Sequence, residues 1–276
     1  MEWRKVKNII ILILLLVNGF LLVIVGSRVG EVRRYERSAL EQAVRVLETN
    51  GIRVNEQAVT AAEGLSSQAV ERSAGAETEM AGGLLGEAVT VRNQGGGMYT
   101  YYGSRGIVNF RTGGQFDLRP EEDARWKGTD PEALARSLLS EMKIEGEITE
   151  TALNDGTGTV TVRQLWQGVP VFSCWMVFTF RENVLISLSG TVLAPGESSV
   201  ENDRLLTLPS ALLAFQDGIL SGGDVCSAVE SMKPGYRMVQ SFRGTLWLEP
   251  VWLISGNTAD YYMDAVTGEL SRLTGE

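Results

Sequence analysis

Histidine is absent from the 276 residues, and cysteine occurs twice, at Cys174 and Cys226. Without imidazole there is no Ser-His-Asp or Cys-His constellation and no His-ligated metal site. A cysteine nucleophile would lack the partner that usually lowers its pKa. Cys174 shares a period-two face with Phe172, Met176, Phe178 and Phe180, the pattern of a buried strand face, and reads as a small core hydrophobe. A bridge to Cys226 stays open as the alternative outside the cytoplasm, because sequence does not set the Cβ separation a disulfide requires. Carboxylates are plentiful but unpaired. Glu121-Glu122-Asp123 point in successive directions and read as a solvated loop, and Glu77 and Glu79 fall in a weakly patterned stretch. Gly95-Gly96-Gly97 is followed by neither a helix nor Lys-Ser/Thr, so it reads as a hairpin turn rather than a phosphate cradle. No nucleophile and base occur at recognisable spacing. The sequence assigns no catalytic residue, no metal ligand and no cofactor, and it reads as a non-enzyme.

Charge is missing altogether from Asn8 to Gly26, NIIILILLLVNGFLLVIVG. At ~1.5 Å per residue a helix of that length approaches the ~30 Å of a bilayer's hydrocarbon core. The run is longer than a signal peptide's apolar stretch and no small-x-small cleavage pattern follows it, so it is expected to be an uncleaved transmembrane helix. Arg4, Lys5 and Lys7 precede it and place the N-terminus in the cytoplasm. Arg28, Arg33, Arg34 and Arg37 lie beyond it, but they belong to a long segment of the kind that translocates largely regardless of charge. The expected location is the cell membrane, single-pass, with the C-terminal body extracytoplasmic. Inside the run, beyond Asn8 at its edge, Asn18 is the one strongly polar side chain and Gly19 sits beside it. In lipid an amide gains by bonding to a second helix, and glycine lets that helix approach, so Asn18 and Gly19 are the candidate partner-helix contact.

The first 26 residues carry three Lys/Arg and one Glu, net +2, which leaves 22 Lys/Arg against 33 acids, net −11, in the remainder. An acidic body argues against nucleic acid as a partner. With 44% hydrophobic residues over its whole length and no long polar tract, the chain can bury a core. Apolar positions from Val29 to Leu47 follow a helical period and Asn50-Gly51 supplies a stop. Residues 64–83, rich in Ala, Gly, Ser and Glu, read as a mobile connection. Gly-punctuated strands then run from Ala88 to Leu118 as a meander. Two similar units follow. Each opens on a capped helix with an early proline, at Asp130-Pro131 and at Thr207-Leu208-Pro209, and each continues into four strands. The expected fold class is α+β, with one N-terminal transmembrane helix followed by units in which a helix packs on a curled antiparallel sheet. The expected divisions are a cytoplasmic tail (1–7), the transmembrane helix (8–26), a juxtamembrane helix with an N-terminal α+β region (27–125), and units at 126–200 and 201–276.

Asp264-Ala-Val-Thr-Gly-Glu269 near the C-terminus resembles the last hairpin of the PepSY domain. Its chemistry is that of a turn, with Asp264 accepting backbone hydrogen bonds and Gly268 taking a positive φ. Gln164, Gly168, Pro170, Val171 and Phe172 are similar to the Q-x-x-x-G-x-P-V-F strand pair of the same superfamily. The opening Met1-Glu-Trp-Arg-Lys-Val-Lys-Asn-Ile, with the apolar run directly after it, resembles the start of the YycI and YycH families. The resemblance implies PepSY-like exterior units and a regulatory protein of Gram-positive bacteria. It would bind the WalK sensor histidine kinase, together with a YycH-like sibling, and thereby adjust a two-component system controlling cell-wall metabolism. No small-molecule substrate is implied. The alternative is a PepSY-type inhibitor or chaperone of an extracytoplasmic hydrolase.

Overall fold

The structure is a computed structural model that describes residues 11, 14, 15, 17, 18, 20, 34–86, 88–194, 196, 198–241 and 245–273. Helix α1 covers residues 34–49 and buries Ala43, Val44 and Leu47 as one stripe. Its last carbonyls are satisfied locally. The Asn50 side-chain amide donates to the Val46 carbonyl at 2.9 Å, Gly51 turns at φ +85°, and the Ile52 amide returns to Leu47 at 2.9 Å.

Strands β1 (Arg53–Val54) and β2 (Gln68–Val70) follow, then α2 (Ala74–Leu85). A four-stranded meander comes next, β3 (Thr90–Gly95), β4 (Met98–Gly103), β5 (Gly106–Phe110) and β6 (Gln115–Pro120). After it come α3 (Pro131–Glu141), β7 (Glu145–Asn154), β8 (Thr157–Trp166), β9 (Val169–Arg181), β10 (Val184–Thr191) and β11 (Ser198–Val200). The chain ends in α4 (Leu208–Gly222), β12 (Ala228–Gln240), β13 (Leu246–Gly256), β14 (Asp260–Asp264) and β15 (Leu270–Arg272). Both anticipated caps are in place, the Asp130 carboxylate accepting from the Glu132 amide and the Thr207 hydroxyl from the Ser210 amide.

The strands form one 15-stranded sheet. Its first half is antiparallel, in the order β3-β4-β5-β6-β10-β9-β8-β7. In the second half β13 pairs with β12 along one edge and with β2 and β14 along the other, with β11 beyond β2 and β15 beyond β14. The halves meet where β9 and β12 run parallel, Val171 opposite Tyr236. This junction is possible because β9 is 13 residues long and divides its edge. Residues from Met176 onward pair with β10, while Val171 is left for β12. Strand β12 tolerates Pro234 for a related reason. On the edge away from β13, Met232 bridges to Val59 and Tyr236 meets Val171. Pro234 falls in the gap between them, where no N–H is needed.

Helices α2 and α3 cover the first half through Met80, Leu84, Leu85, Ala135, Leu138 and Leu139. Helices α1 and α4 cover the second, around Trp252, Ile254, Tyr261 and Met263. A third cluster, containing Val70, Val171, Cys174, Tyr236 and Leu248, fills the seam. Gly83 brings α2 against the end of α3, since a Cβ there would lie 2.1 Å from the Glu141 carbonyl oxygen. Any larger residue has to push the helices apart.

Two expectations are corrected. The α+β arrangement of units behind a transmembrane helix is replaced by a single large mixed sheet on which four helices pack, among the described residues. No described helix is long and apolar enough to cross a membrane. Most of the run from Asn8 to Gly26 lies outside the described residues; Ile11, Leu14, Leu15, Val17, Asn18 and Phe20 are described, and they are helical and exposed. The physical cause of the first difference is the pairing of β9 with β12, a contact between positions 65 apart that no local pattern announces. The stretch 64–83 is not a mobile connection. It contains β2 and most of α2, whose start is fixed by the Ser73 hydroxyl accepting from the Ala76 amide at 3.2 Å.

Candidate functional site

A cleft of about 610 Å³ opens at the foot of α1. Three segments build it: the first described turns of α1, the loop 61–65, and the approach to α4 at 203–209. Its floor is apolar, with Leu40, Ala62, Leu65, Leu206, Leu208 and Pro209. Its rim carries Glu36, Arg37, Glu63 and Asp203. Arg37 is engaged with Glu41 one turn along α1, at 3.5 Å. The volume is within the range of small-ligand and anchor-residue sites, roughly 300–1,000 Å³.

Hydrogen bonds fix the second and third walls. The Thr60 amide donates to the Met232 carbonyl at 2.9 Å, and the Trp252 indole N–H donates to the Thr60 carbonyl at 2.9 Å. The Ser67 amide donates to the Asp203 carboxylate at 3.0 Å, tying the second wall to the third. The Leu206 amide donates to the Ala265 carbonyl at 2.8 Å.

That last bond brings in the Asp264–Glu269 turn. The Asp264 Oδ1 accepts from the Val266 amide at 2.8 Å and the Thr267 amide at 2.7 Å, and Gly268 takes φ +77°. A Cβ on Gly268 would lie 3.1 Å from Ala214 and 3.2 Å from Leu206, so the turn is pressed against α4 and the cleft wall. Asp264 is thus a turn-former that braces the cleft. Replacing it by alanine is expected to lower stability by about 1.5–3 kcal/mol, the range for bonds to a charged acceptor. Asparagine, which keeps the acceptor oxygen, should retain most of it; thermal melts of the two variants check this.

The second sequence motif lies at the seam. The Gln164 side chain accepts from the Leu193 amide at 2.8 Å and donates to its carbonyl at 2.7 Å, holding the chain that leaves β10. Gln167 and Gly168 make the turn into β9 at φ 52° and 78°. Phe172 reaches over Gly235 of β12, where a Cβ would sit 2.5 Å from its ring, and stacks on Tyr262 at 6.2 Å. Arg163 covers the Phe172 ring at 5.4 Å. Nearby, the Trp166 indole donates to the Gln68 side-chain Oε1 at 3.0 Å, and the Gln68 side-chain Nε2 donates to the Tyr236 hydroxyl at 3.2 Å. The whole arrangement fastens the two halves of the sheet.

Asn18, one of the candidate partner-helix residues, is helical and exposed, and Gly19 lies outside the described residues. Cys174 and Cys226 are free, buried thiols in different core clusters. Burial pushes the Cys174 thiol up to about 12, so it holds its proton and is no nucleophile near neutral pH. Glu121, Glu122 and Asp123 are exposed. Glu79 makes a surface pair with Lys143 at 3.3 Å, whereas Glu77 is buried against Arg72. Among the described residues no group of three or more His, Cys, Asp or Glu is placed to hold a metal. Trp252 is fully buried, Trp166 and Trp247 are half-buried, and Trp175 is exposed.

The cleft was not read from the sequence. Its walls come from segments as far apart as Glu36 and Pro209, and the only local signal is the apolar pair Leu205-Leu206 standing outside any periodic pattern.

No protein-family model matches the chain, and no curated protein matches it. Among solved structures, it is similar to an uncharacterized protein from Eubacterium rectale, at 12% identity and a TM-score of 0.46, over 82% of this chain and 92% of that one. It is also similar to the YpeB C-terminal domain of Bacillus megaterium, at 12% identity and a TM-score of 0.35, over 75% of this chain and 100% of that one. Neither likeness is strong enough to carry an argument about fold or function.

Proposed function

We propose that the protein is a non-catalytic regulator working by contact at the outer face of the cell membrane. Its target is the sensor histidine kinase of a two-component system that controls cell-wall metabolism, as for YycI and YycH. The observation that carries this reading is the position of the cleft. A ligand-sized apolar hollow stands at the foot of α1, about ten residues after the charge-free N-terminal run. A target held in the same membrane would meet that region of the body first. The acidic, histidine-free composition and the protonated, buried Cys174 support binding over chemistry. Regulation further requires that the protein bind one signalling state of the kinase more tightly than the other.

The test is purification of the full chain from membranes of its own cells, with identification of what comes with it. A histidine kinase should co-purify, and its autophosphorylation rate should change when the protein is added back. Recovery of a secreted hydrolase in place of a kinase, with its activity inhibited, would replace this reading by the inhibitor alternative.

A further inference from the structure

We propose that the cleft at the foot of α1 takes a cationic amphipathic helical segment of the protein partner; this rests on the binding role inferred above. The floor formed by Leu40, Leu65, Leu206 and Leu208 suits apolar anchors presented at i, i+3 and i+4 by a helix. The rim selects among apolar ligands. The lining holds three carboxylates, Glu36, Glu63 and Asp203, and one cation, Arg37. Arg37 is turned to Glu41 at 3.5 Å and the Asp203 carboxylate accepts from the Ser67 amide at 3.0 Å, while Glu36 and Glu63 are exposed. The chain beyond residue 26 carries a formal −11, which adds a long-range field of the same sign. An anionic lipid headgroup or a phosphate seated on the leucines would lie beside the Glu36 and Glu63 carboxylates. A bare sugar would leave its hydroxyls unpaired on the leucines. A helix with Leu-type anchors flanked by Lys or Arg satisfies floor and rim together, and its charges would also raise the encounter rate.

The probe is a fluorescent Leu/Lys amphipathic helical peptide, with a Leu/Gln peptide of the same pattern as its neutral counterpart. Binding is followed by anisotropy against the full chain in zwitterionic nanodiscs, with empty nanodiscs subtracted. The Leu/Lys peptide should bind, and the exposed double reversal Glu36→Lys/Glu63→Lys should weaken it by about tenfold or more. Reversal of Glu147 on the distant strand β7, Glu147→Lys, should leave affinity unchanged. Equal binding of the two peptides overturns the charge requirement. Equal weakening by Glu147→Lys means attraction to the acidic body in general and overturns the cleft assignment. Circular dichroism confirms that the reversed variants are folded. Failure here is distinct from failure of the kinase reading. A kinase that co-purifies with the double reversal unimpaired sinks the cleft alone, and peptide binding without any kinase sinks the target alone.

Discussion

Replacing Arg72 by methionine is expected to remove about 3–5 kcal/mol of folding stability, the largest single loss foreseen for a polar residue in this chain. Arg72 bonds Glu77 through both its Nε and Nη2, and through Nη1 it reaches the Gly97 carbonyl at 2.6 Å. Its guanidinium also lies 5.1 Å from the centre of the Tyr99 ring. One side chain therefore ties the end of β2, the first turn of α2 and the β3–β4 hairpin together. The Glu77 side chain is only 6% exposed, so without Arg72 a carboxylate is left in the interior with no opposing charge. That stranded charge, rather than the loss of attraction itself, is the source of the effect. The double replacement Arg72→Met/Glu77→Leu removes both charges and should recover most of the stability. Urea unfolding of the two variants separates the causes. If the double variant is as unstable as the single one, the loss comes from the missing bond to Gly97 and the missing cover on Tyr99.

Phe172→Ala is expected to cost a similar amount, about 3–5 kcal/mol, for an apolar reason. Phe172 is 6% exposed and lies where the two halves of the sheet meet. Its ring fills the space that Gly235 leaves open on β12, stacks on Tyr262 and is covered by Arg163. Truncation leaves a cavity that the backbones of β9 and β12 cannot close, because Gly235 offers no side chain to fill it. The effect should also be uneven. Amide exchange is expected to speed up first along β12 and at the start of β9, while β4, β5 and β6 keep their protection, since their side chains pack in the core cluster of the first half, of which Phe172 is not a member. A uniform increase across both halves would mean that the sheet unfolds as one unit and that the seam has no separate stability.

What sequence patterns could and could not reveal follows from the range over which each signal acts. The Asp130 and Thr207 caps, the Asn50-Gly51 stop and the Gly95–Gly97 turn are local chemistry, and each appears in the structure where the residues implied it. The alternating buried face of β9, from Phe172 to Phe180, was legible for the same reason. Helix α2 was hidden by its own glycines. Gly75, Gly82 and Gly83 lower helix propensity and mimic a linker, yet Gly83 is there because α3 comes so close. The first half of β12 was hidden by Pro234, which reads as a strand breaker until the gap in pairing beside it is seen. The recruitment of β1 and β2 into the C-terminal half, the parallel joint at Tyr236 and the three-walled cleft are all contacts between distant positions. No window of sequence contains them. Trp175 falls between these cases, since its place on the outward face of β9 follows from alternation, but its 46% exposure does not.

The account stands or falls on whether the cleft at the foot of α1 touches another protein in living cells. A photo-crosslinking amino acid at position 63, on the acidic rim, reads this directly, with the same residue at position 147 as the reference. Irradiation is predicted to join position 63 to a sensor histidine kinase and to leave position 147 without an adduct. Adducts of equal yield at both positions, or an absence of any protein adduct at position 63 in cells where the kinase is active, would contradict it.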